Sequence, residues 1–327
     1  MHILIIDNSK IPVLKYGGTE RVIWYLGKEL IKLGHKVTYL VKQGSSCNFA
    51  DVLFINPAKK YVEQIPEYVD VVHINFPPDG EIKKPYVTTL HGNFNEPFDL
   101  DLNTIFVSKN HAERFGSTSF IYNGLDWDDY PKPDLIKPRN YFHFLGDASW
   151  RVKNVKGAIK VISKTKAENL KVLGGHRLNF RMGFRLTLSP RVTFAGMVGG
   201  QEKYQLLQGS KGLIFPVKWN EPFGLAITES LYMGCPVFGT PYGSLPELVH
   251  KDVGFLSNKS TALAEAVERA GAYDKNTCHQ YAVDVYNSKK MAEAYVQKYE
   301  QVMNGQKLNK KNPRLVKVQA EKFLSWD

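Results

Sequence analysis

The chain has 327 residues, 43% hydrophobic and 23% charged, with a formal net charge of +11. That length suits two α/β domains of similar size, and the composition is that of a globular protein, without a low-complexity tract or an apolar run long enough to span a bilayer. The basic balance favours anionic partners, but helix-turn-helix spacing, zinc-finger patterns and RNA-binding aromatic signatures are missing, so nucleic acid is the weakest candidate.

In chain order, "MHILIIDNSK" opens with an apolar run that is too short for a secretory signal and reads as a buried first strand. Gly17 and Gly18 follow, where backbone without side chains lets an anion or a sugar approach closely. "TERVIWYLGKELIKLG" then places Ile23, Leu26, Leu30 and Leu33 at helical spacing, with Gly34 where a helix should stop. "HKVTYLV", "DVVHINF", "PYVTTLH" and "TIFVS" read as further strands, rich in Val, Ile and Thr. The proline-rich stretch Tyr130 to Asn140, "YPKPDLIKPRN", reads as an interdomain linker.

After it the alternation restarts. "YFHFLG", the helical "VKGAIKVISKT", "LKVLGG", "RVTFAG", "GLIFPV" and "CPVFGT" form a second strand series. The expected architecture is α/β, two Rossmann-like doubly wound domains facing a cleft, with ligand at the carboxyl ends of the strands. The domains are expected at residues 1–135 and 140–285, and a C-terminal helix within 288–327 is expected to pack back on the first domain. The three cysteines, Cys47, Cys235 and Cys278, share no metal-ligand spacing, and their odd number argues against a disulfide framework. This predicts a cytoplasmic setting. The basic tail "QKLNKKNPRLVKVQAEKF" suits either a solvated end or a peripheral membrane contact on the inner face.

The densest candidate chemistry lies in "WNEPFGLAITESLYMGCPV", Trp219 to Val237. A helix starting near Gly224 would present unpaired amides and a positive dipole end to a phosphate. Glu221 would lie on the loop before it and Glu229 in its second turn, where a carboxylate can accept both hydroxyls of a ribose. Spacing alone favours a plainer reading, an acid before a helix start and a solvent-facing glutamate within it.

The flanking residues narrow this. "EPFGLAITES…GCPV" resembles the E-x7-E motif of the retaining glycosyltransferases of family 4, and "GTPYGSLPELV" resembles that family's next loop. "YGGTERV", "DVVHINFP", "PYVTTLHG", "FVSKNHA", "YNGLD" and "DVGFL" occur in the same order as in that family, from residue 1 to about residue 258. The resemblance implies the glycosyltransferase-B architecture, with a nucleotide sugar bound mainly by the second domain. It implies that Glu229 holds the nucleotide ribose and Glu221 contacts the donor sugar. Phe223, Gly224 and Leu225 would offer backbone donors to the diphosphate and the sugar. His91 would hydrogen-bond the donor sugar, and Gly17 and Gly18 would face phosphates and acceptor. His73 reads equally well as a packed core histidine, and Asn123-Gly124 as a structural turn.

One departure stands out. Similar enzymes carry Gly-Arg after the first strand of the second domain, and this chain has Gly146-Asp147 there. Lys153 fits the lysine that follows in the family, and Arg151 is the candidate to replace the missing charge.

The implied activity is retaining, metal-independent transfer of a sugar from a nucleoside-diphosphate sugar, the donor substrate, to a glycan or lipid-linked acceptor in polysaccharide or glycolipid synthesis. No cofactor and no metal ligands are expected. An epimerase of the same architecture, or a non-catalytic nucleotide-sugar-binding protein, remains open at this level.

Overall fold

A computed structural model describes residues 1–13 and 17–327. It divides into two compact units, one of residues 1–13, 17–127 and 286–318, the other of residues 128–285 and 319–327.

The first unit is built on a six-stranded parallel sheet. Its strands are β1 (His2–Ile6), β2 (Lys36–Val41), β3 (Asp51–Phe54), β4 (Val71–Ile74), β5 (Tyr86–Leu90) and β6 (Thr104–Phe106), with α1 (Gly18–Lys32) crossing between β1 and β2 and α2 (Lys109–Arg114) following β6. The order β3-β2-β1-β4-β5-β6 is that of a doubly wound sheet, reversing direction between β1 and β4. β1 and β4 are buried almost throughout, so they read as continuous apolar runs rather than as alternating ones. Leu4, Ile6, Leu40, Val72 and Ile74 form one core layer of this unit, each stabilising it by roughly 1.5–3 kcal/mol. Gly34 ends α1 as expected, at φ 84°, where its amide bonds Ile31 and the next amide bonds Leu30.

The second unit repeats the plan. Strands β7 (Tyr141–Leu145), β8 (Leu170–Leu173), β11 (Val192–Phe194), β12 (Ser210–Phe215), β13 (Val237–Gly239) and β14 (Gly254–Leu256) form a parallel sheet in the order β11-β8-β7-β12-β13-β14. A separate antiparallel pair, β9 (Leu178–Asn179) and β10 (Arg185–Leu186), stands between β8 and β11. The helices are α3 (Val155–Lys164), α4 (Gly200–Gln208), α5 (Leu225–Tyr232), α6 (Leu245–Leu248), α7 (Ser260–Glu268) and α8 (Lys275–Val285). Phe142, Phe144, Val161, Ile214, Phe238 and Leu263 anchor the core between sheet, α3 and α7.

The last helix, α9 (Ser288–Met303), returns to the first unit, where Tyr295 and Tyr299 reach Thr89 and His73. The division between units falls after Trp127, ahead of the proline-rich stretch. The tail differs from expectation. Asn309 and Arg314 are bonded to residues of the first unit, but residues 319–327 pack on the second, with the Leu324 amide on the Lys218 carbonyl. It is tied down along its length instead of forming a free solvated end. Among the described residues, no helix is long and apolar enough to cross a membrane.

Candidate functional site

At the carboxyl edge of the second sheet, β12 runs into the loop Pro216–Gly224 and then into α5. Gly224 is the N-cap of that helix, at φ 92°, a left-handed conformation that favours glycine. A glycine there has no side chain with which to cap the helix, and while the Ile227 amide donates to the Gly224 carbonyl at 2.9 Å, the amides of Leu225 and Ala226 at the helix start face outward for an external acceptor.

The loop ahead of α5 is fixed by a second loop. A Cβ on Gly243 (φ 63°) would come within 2.2 Å of the Glu221 nitrogen, so the two backbones touch. Ser244 donates its amide to the Glu221 carbonyl at 2.9 Å and its hydroxyl to the Phe223 carbonyl at 2.6 Å. Glu221 is thereby held from the backbone outward.

Both glutamates are buried, and each is matched by a buried lysine. Lys153 donates to Glu221 at 2.6 Å and 2.9 Å, and Trp219 donates its indole N–H at 2.8 Å. Lys203, from α4, donates to Glu229 at 2.5 Å, and the Tyr130 hydroxyl does so at 2.9 Å. Taking two such charges out of water is costly unless geometry and further hydrogen bonds compensate, and both pairs have these. The Lys153 ammonium has three donors, and two of them go to Glu221.

Lys203, Trp219 and Tyr130 did not emerge from the sequence. Tyr130 belongs to the stretch that reads as a loose linker, yet it is 4% exposed. Arg139, from the same stretch, is bonded to the carbonyls of Met233 and Gly234 at the end of α5. The contacts of Lys203, Tyr130 and Arg139 are long-range, and short-range patterns carry no signal for them, whereas Trp219 bonds Glu221 only two residues on.

Asp147 has a structural explanation. Its carboxylate accepts the Ser149 amide at 2.8 Å and hydroxyl at 2.5 Å, closing the turn after β7, and pairs with Arg181 at 3.6 Å. Arg151 does not join the Lys153–Glu221 pair. Its guanidinium lies over the Phe323 ring at 4.9 Å and lines a separate cavity. Positive charge beside Glu221 therefore comes from Lys153.

In the first unit, His91 follows β5 and Asn75 follows β4, and both stand at the carboxyl edge of that sheet. The Asn75 amide nitrogen donates to the Ile6 carbonyl at 3.1 Å, and its oxygen faces His91 Nε2 at 2.8 Å. With the asparagine oriented by that carbonyl, Nε2 carries the proton and Nδ1 is an acceptor. Burial lowers the His91 pKa to about 4, so the ring is neutral near pH 7. Asp7, closing β1, is pushed up to about 6 by burial, against the opposing Ser9 hydrogen bond. Asp7 and Asn75 lie outside the sequence-based expectations, although a polar residue closing an apolar strand was the available signal.

Gly17 is the N-cap of α1, where a Cβ would meet Val13 and Glu20, and Gly18 opens the helix. His73 is a core residue, bonded to Tyr299 and Thr89 and lowered by burial to about 3. Gly124 packs against the backbone at Asn287, a structural role. Among the described residues, no group of three or more His, Cys, Asp or Glu side chains is placed to hold a metal ion.

Comparison with known proteins places this geometry in context. Residues 139–272 match the family described as Glycosyl transferases group 1. Over 84 residues the chain is 34% identical to the mouse (Mus musculus) alpha-1,3/1,6-mannosyltransferase ALG2, a match covering 25% of this chain and 20% of that protein. Among solved structures, AviGT4, a glycosyltransferase involved in avilamycin A biosynthesis, superposes with a TM-score of 0.74 at 20% identity, covering 93% of this chain and 98% of that one. Sucrose-phosphate synthase from Thermosynechococcus elongatus gives 0.72 at 16% identity, over 93% and 99%. Anabaena HepE in complex with UDP and glucose gives 0.67 at 16% identity, over 92% and 100%. The two α/β units are those of the glycosyltransferase-B fold.

Proposed function

We propose that the protein is a glycosyltransferase that takes a sugar from a nucleoside-diphosphate sugar and passes it, with retention at the anomeric carbon and without a metal ion, to a hydroxyl of a glycan or lipid-linked acceptor. The observation that carries this reading is the start of α5, where uncapped amides lie between two buried carboxylates, each set by its own lysine. Amides and Lys153 suit the diphosphate, Glu229 the ribose and Glu221 the donor sugar. The group 1 match over this unit and the UDP and glucose bound by HepE support the same reading.

In the proposed step, the bond from the anomeric carbon to the phosphate oxygen breaks as the acceptor oxygen bonds to that carbon on the same face. The acceptor proton passes to the departing phosphate oxygen. Negative charge on the leaving diphosphate grows as the bond breaks, and Lys153 and the α5 dipole oppose it without reorganising. Glu221 steadies positive charge at the anomeric centre, and the Nδ1 acceptor of neutral His91 suits a donor-sugar hydroxyl. Asp147 adds no positive charge, so the diphosphate depends on Lys153 and the helix amides.

The test has two stages. A melting-temperature screen of UDP, GDP and ADP identifies the nucleotide, since a ligand bound only by the native state stabilises it. The matching sugar nucleotide is then incubated with mixed glycan and lipid-linked acceptors, and nucleoside diphosphate release is measured. Acceptor-dependent release is the expected result. Isomerised donor formed without acceptor would replace this reading with an epimerase, and tight binding with no release from any acceptor would replace it with a binding protein.

A further inference from the structure

The β9–β10 hairpin inverts the usual pattern of a strand pair. From Leu178 to Leu188 its sequence alternates with period two, and an ordinary hairpin would turn the apolar set inward. Here Phe180, Phe184 and Leu188 are 71%, 62% and 81% exposed, whereas Arg185 and Thr187 are each 6% exposed. Leu178 pairs with Leu186 across the strands, and the Phe180 and Phe184 rings lie 5.7 Å apart, so the apolar face is continuous.

This face is firmly built. Arg185 bonds Thr187 and the His176 carbonyl, and Arg177 bonds the carbonyls of Thr187, Ser189 and Val192. Asn179 ties the tip by donating to the carbonyls of Arg181 and Gly183. The polar side of the hairpin thus supplies its scaffold, and the apolar side is presented outward.

Charge indicates what covers it. Between Glu168 and Glu202 the chain has five Lys or Arg residues and no acid. Beside the tip, a cavity of about 360 Å³ is walled by Met182, Gly183 and Phe184 and by the cations Arg151, Lys156 and Lys218, with no carboxylate in its lining. Asp147 is the acid in contact with the hairpin, and Arg181 answers it. An apolar ridge beside a cationic hollow suits an amphiphile with an anionic head. A stable protein partner would need about 800 Å² and some 20–30 residues on each side, far more than one short hairpin face offers.

We propose that this hairpin is a membrane-docking element. Phe180, Met182 and Phe184 enter the boundary between headgroups and acyl chains of an anionic phospholipid bilayer, and the cavity beside them receives a headgroup phosphate. The inference stands apart from the sugar-transfer reaction.

The test is co-sedimentation of the full chain with vesicles of phosphatidylcholine alone and of phosphatidylcholine with phosphatidylglycerol. The chain should pellet with the anionic vesicles and be released by added salt. Phe180→Ser with Phe184→Ser should lower partitioning by about tenfold or more. Lys156→Ala should lower it by about fivefold. Because these side chains are exposed, all variants should melt with the wild type. Wild-type protein left in the supernatant with anionic vesicles would overturn the proposal, as would a double phenylalanine variant that pellets like wild type. A concentration-dependent wild-type dimer, lost in that variant and unaccompanied by vesicle binding, would reassign the face to self-association.

Discussion

The two units share one strand order, yet the carboxyl edges of their sheets present different electrostatics. In the first unit the edge carries His91, lowered to about 4 and so neutral near pH 7 and oriented by Asn75, beside Asp7, which is raised to about 6 and is still mostly ionised at pH 7. In the second unit the edge is fully ionic, with Glu221 and Glu229 each closed by a buried lysine. A common fold positions both edges, and the residues that follow each strand decide what chemistry they offer. The neutral imidazole of His91 suits sugar hydroxyls, and the ionic edge suits a diphosphate and a ribose.

The sharpest way to break this contrast is at the ionic edge. Glu221→Ala should lower kcat for transfer by about 10³-fold. Nucleoside diphosphate affinity should stay within about threefold, because the α5 amides and Glu229 are retained. Turnover near wild type would remove Glu221 from the reaction.

Glu229→Ala should act mainly on binding. Loss of a charged hydrogen-bond acceptor is worth about 1.5–3 kcal/mol, or roughly 10–100-fold in the Kd of the nucleotide measured by calorimetry. It also removes the buried carboxylate to which Lys203 donates, at a cost of about 3–5 kcal/mol in stability. Adding Lys203→Met should restore the melting temperature and leave the affinity low. Recovery of both together would mean that the pair is only structural.

In the first unit, Asn75→Ala should free the His91 ring and lower kcat/KM by about tenfold, with a smaller effect on stability. Titration of His91 by NMR should then give a pKa above about 4, as water replaces the amide. An unchanged kcat/KM would detach this edge from the reaction.

A further prediction is a pH dependence of stability with a defined sign. His73, His111 and His143 are lowered by burial to about 3, and His91 to about 4. Between those values and the ordinary histidine pKa of about 6.5, the unfolded chain binds more protons than the folded one. Stability should therefore be full above about pH 6.5 and fall steadily on acidification. Asp7 works in the opposite sense between about 4 and 6, since its folded form binds the extra proton, and it offsets part of one histidine's contribution. A melting temperature independent of pH from 7 to 5 would contradict this.

How much of this was legible in the sequence follows the range of the interactions. The parallel strands and α1 were readable, because buried runs and helical spacing are local signals, and Gly34 and Gly224 marked helix ends through their backbone freedom. The short strand Asp51–Phe54 was missed although Val52 to Ile55 form an apolar run; it is half exposed at the sheet edge. The hairpin carried a clear period-two signal in "RLNFRMGFRLTL", but periodicity does not tell which face is outward. At the site, the carboxylates, Lys153 and the α5 start were visible as a motif. Tyr130, Lys203 and the Gly243 contact were not, because they join positions far apart in the chain. Arg151 was chosen for its charge and its capacity to bind two phosphate oxygens, and Phe323, whose ring lies against it, could not be read from the sequence.

The most direct test is a crystal structure of the chain with its nucleoside-diphosphate sugar. The account predicts pyrophosphate oxygens on the amides of Gly224 and Leu225 and within reach of Lys153, with the ribose hydroxyls on Glu229. A sugar nucleotide bound with its phosphates away from the start of α5 would contradict it.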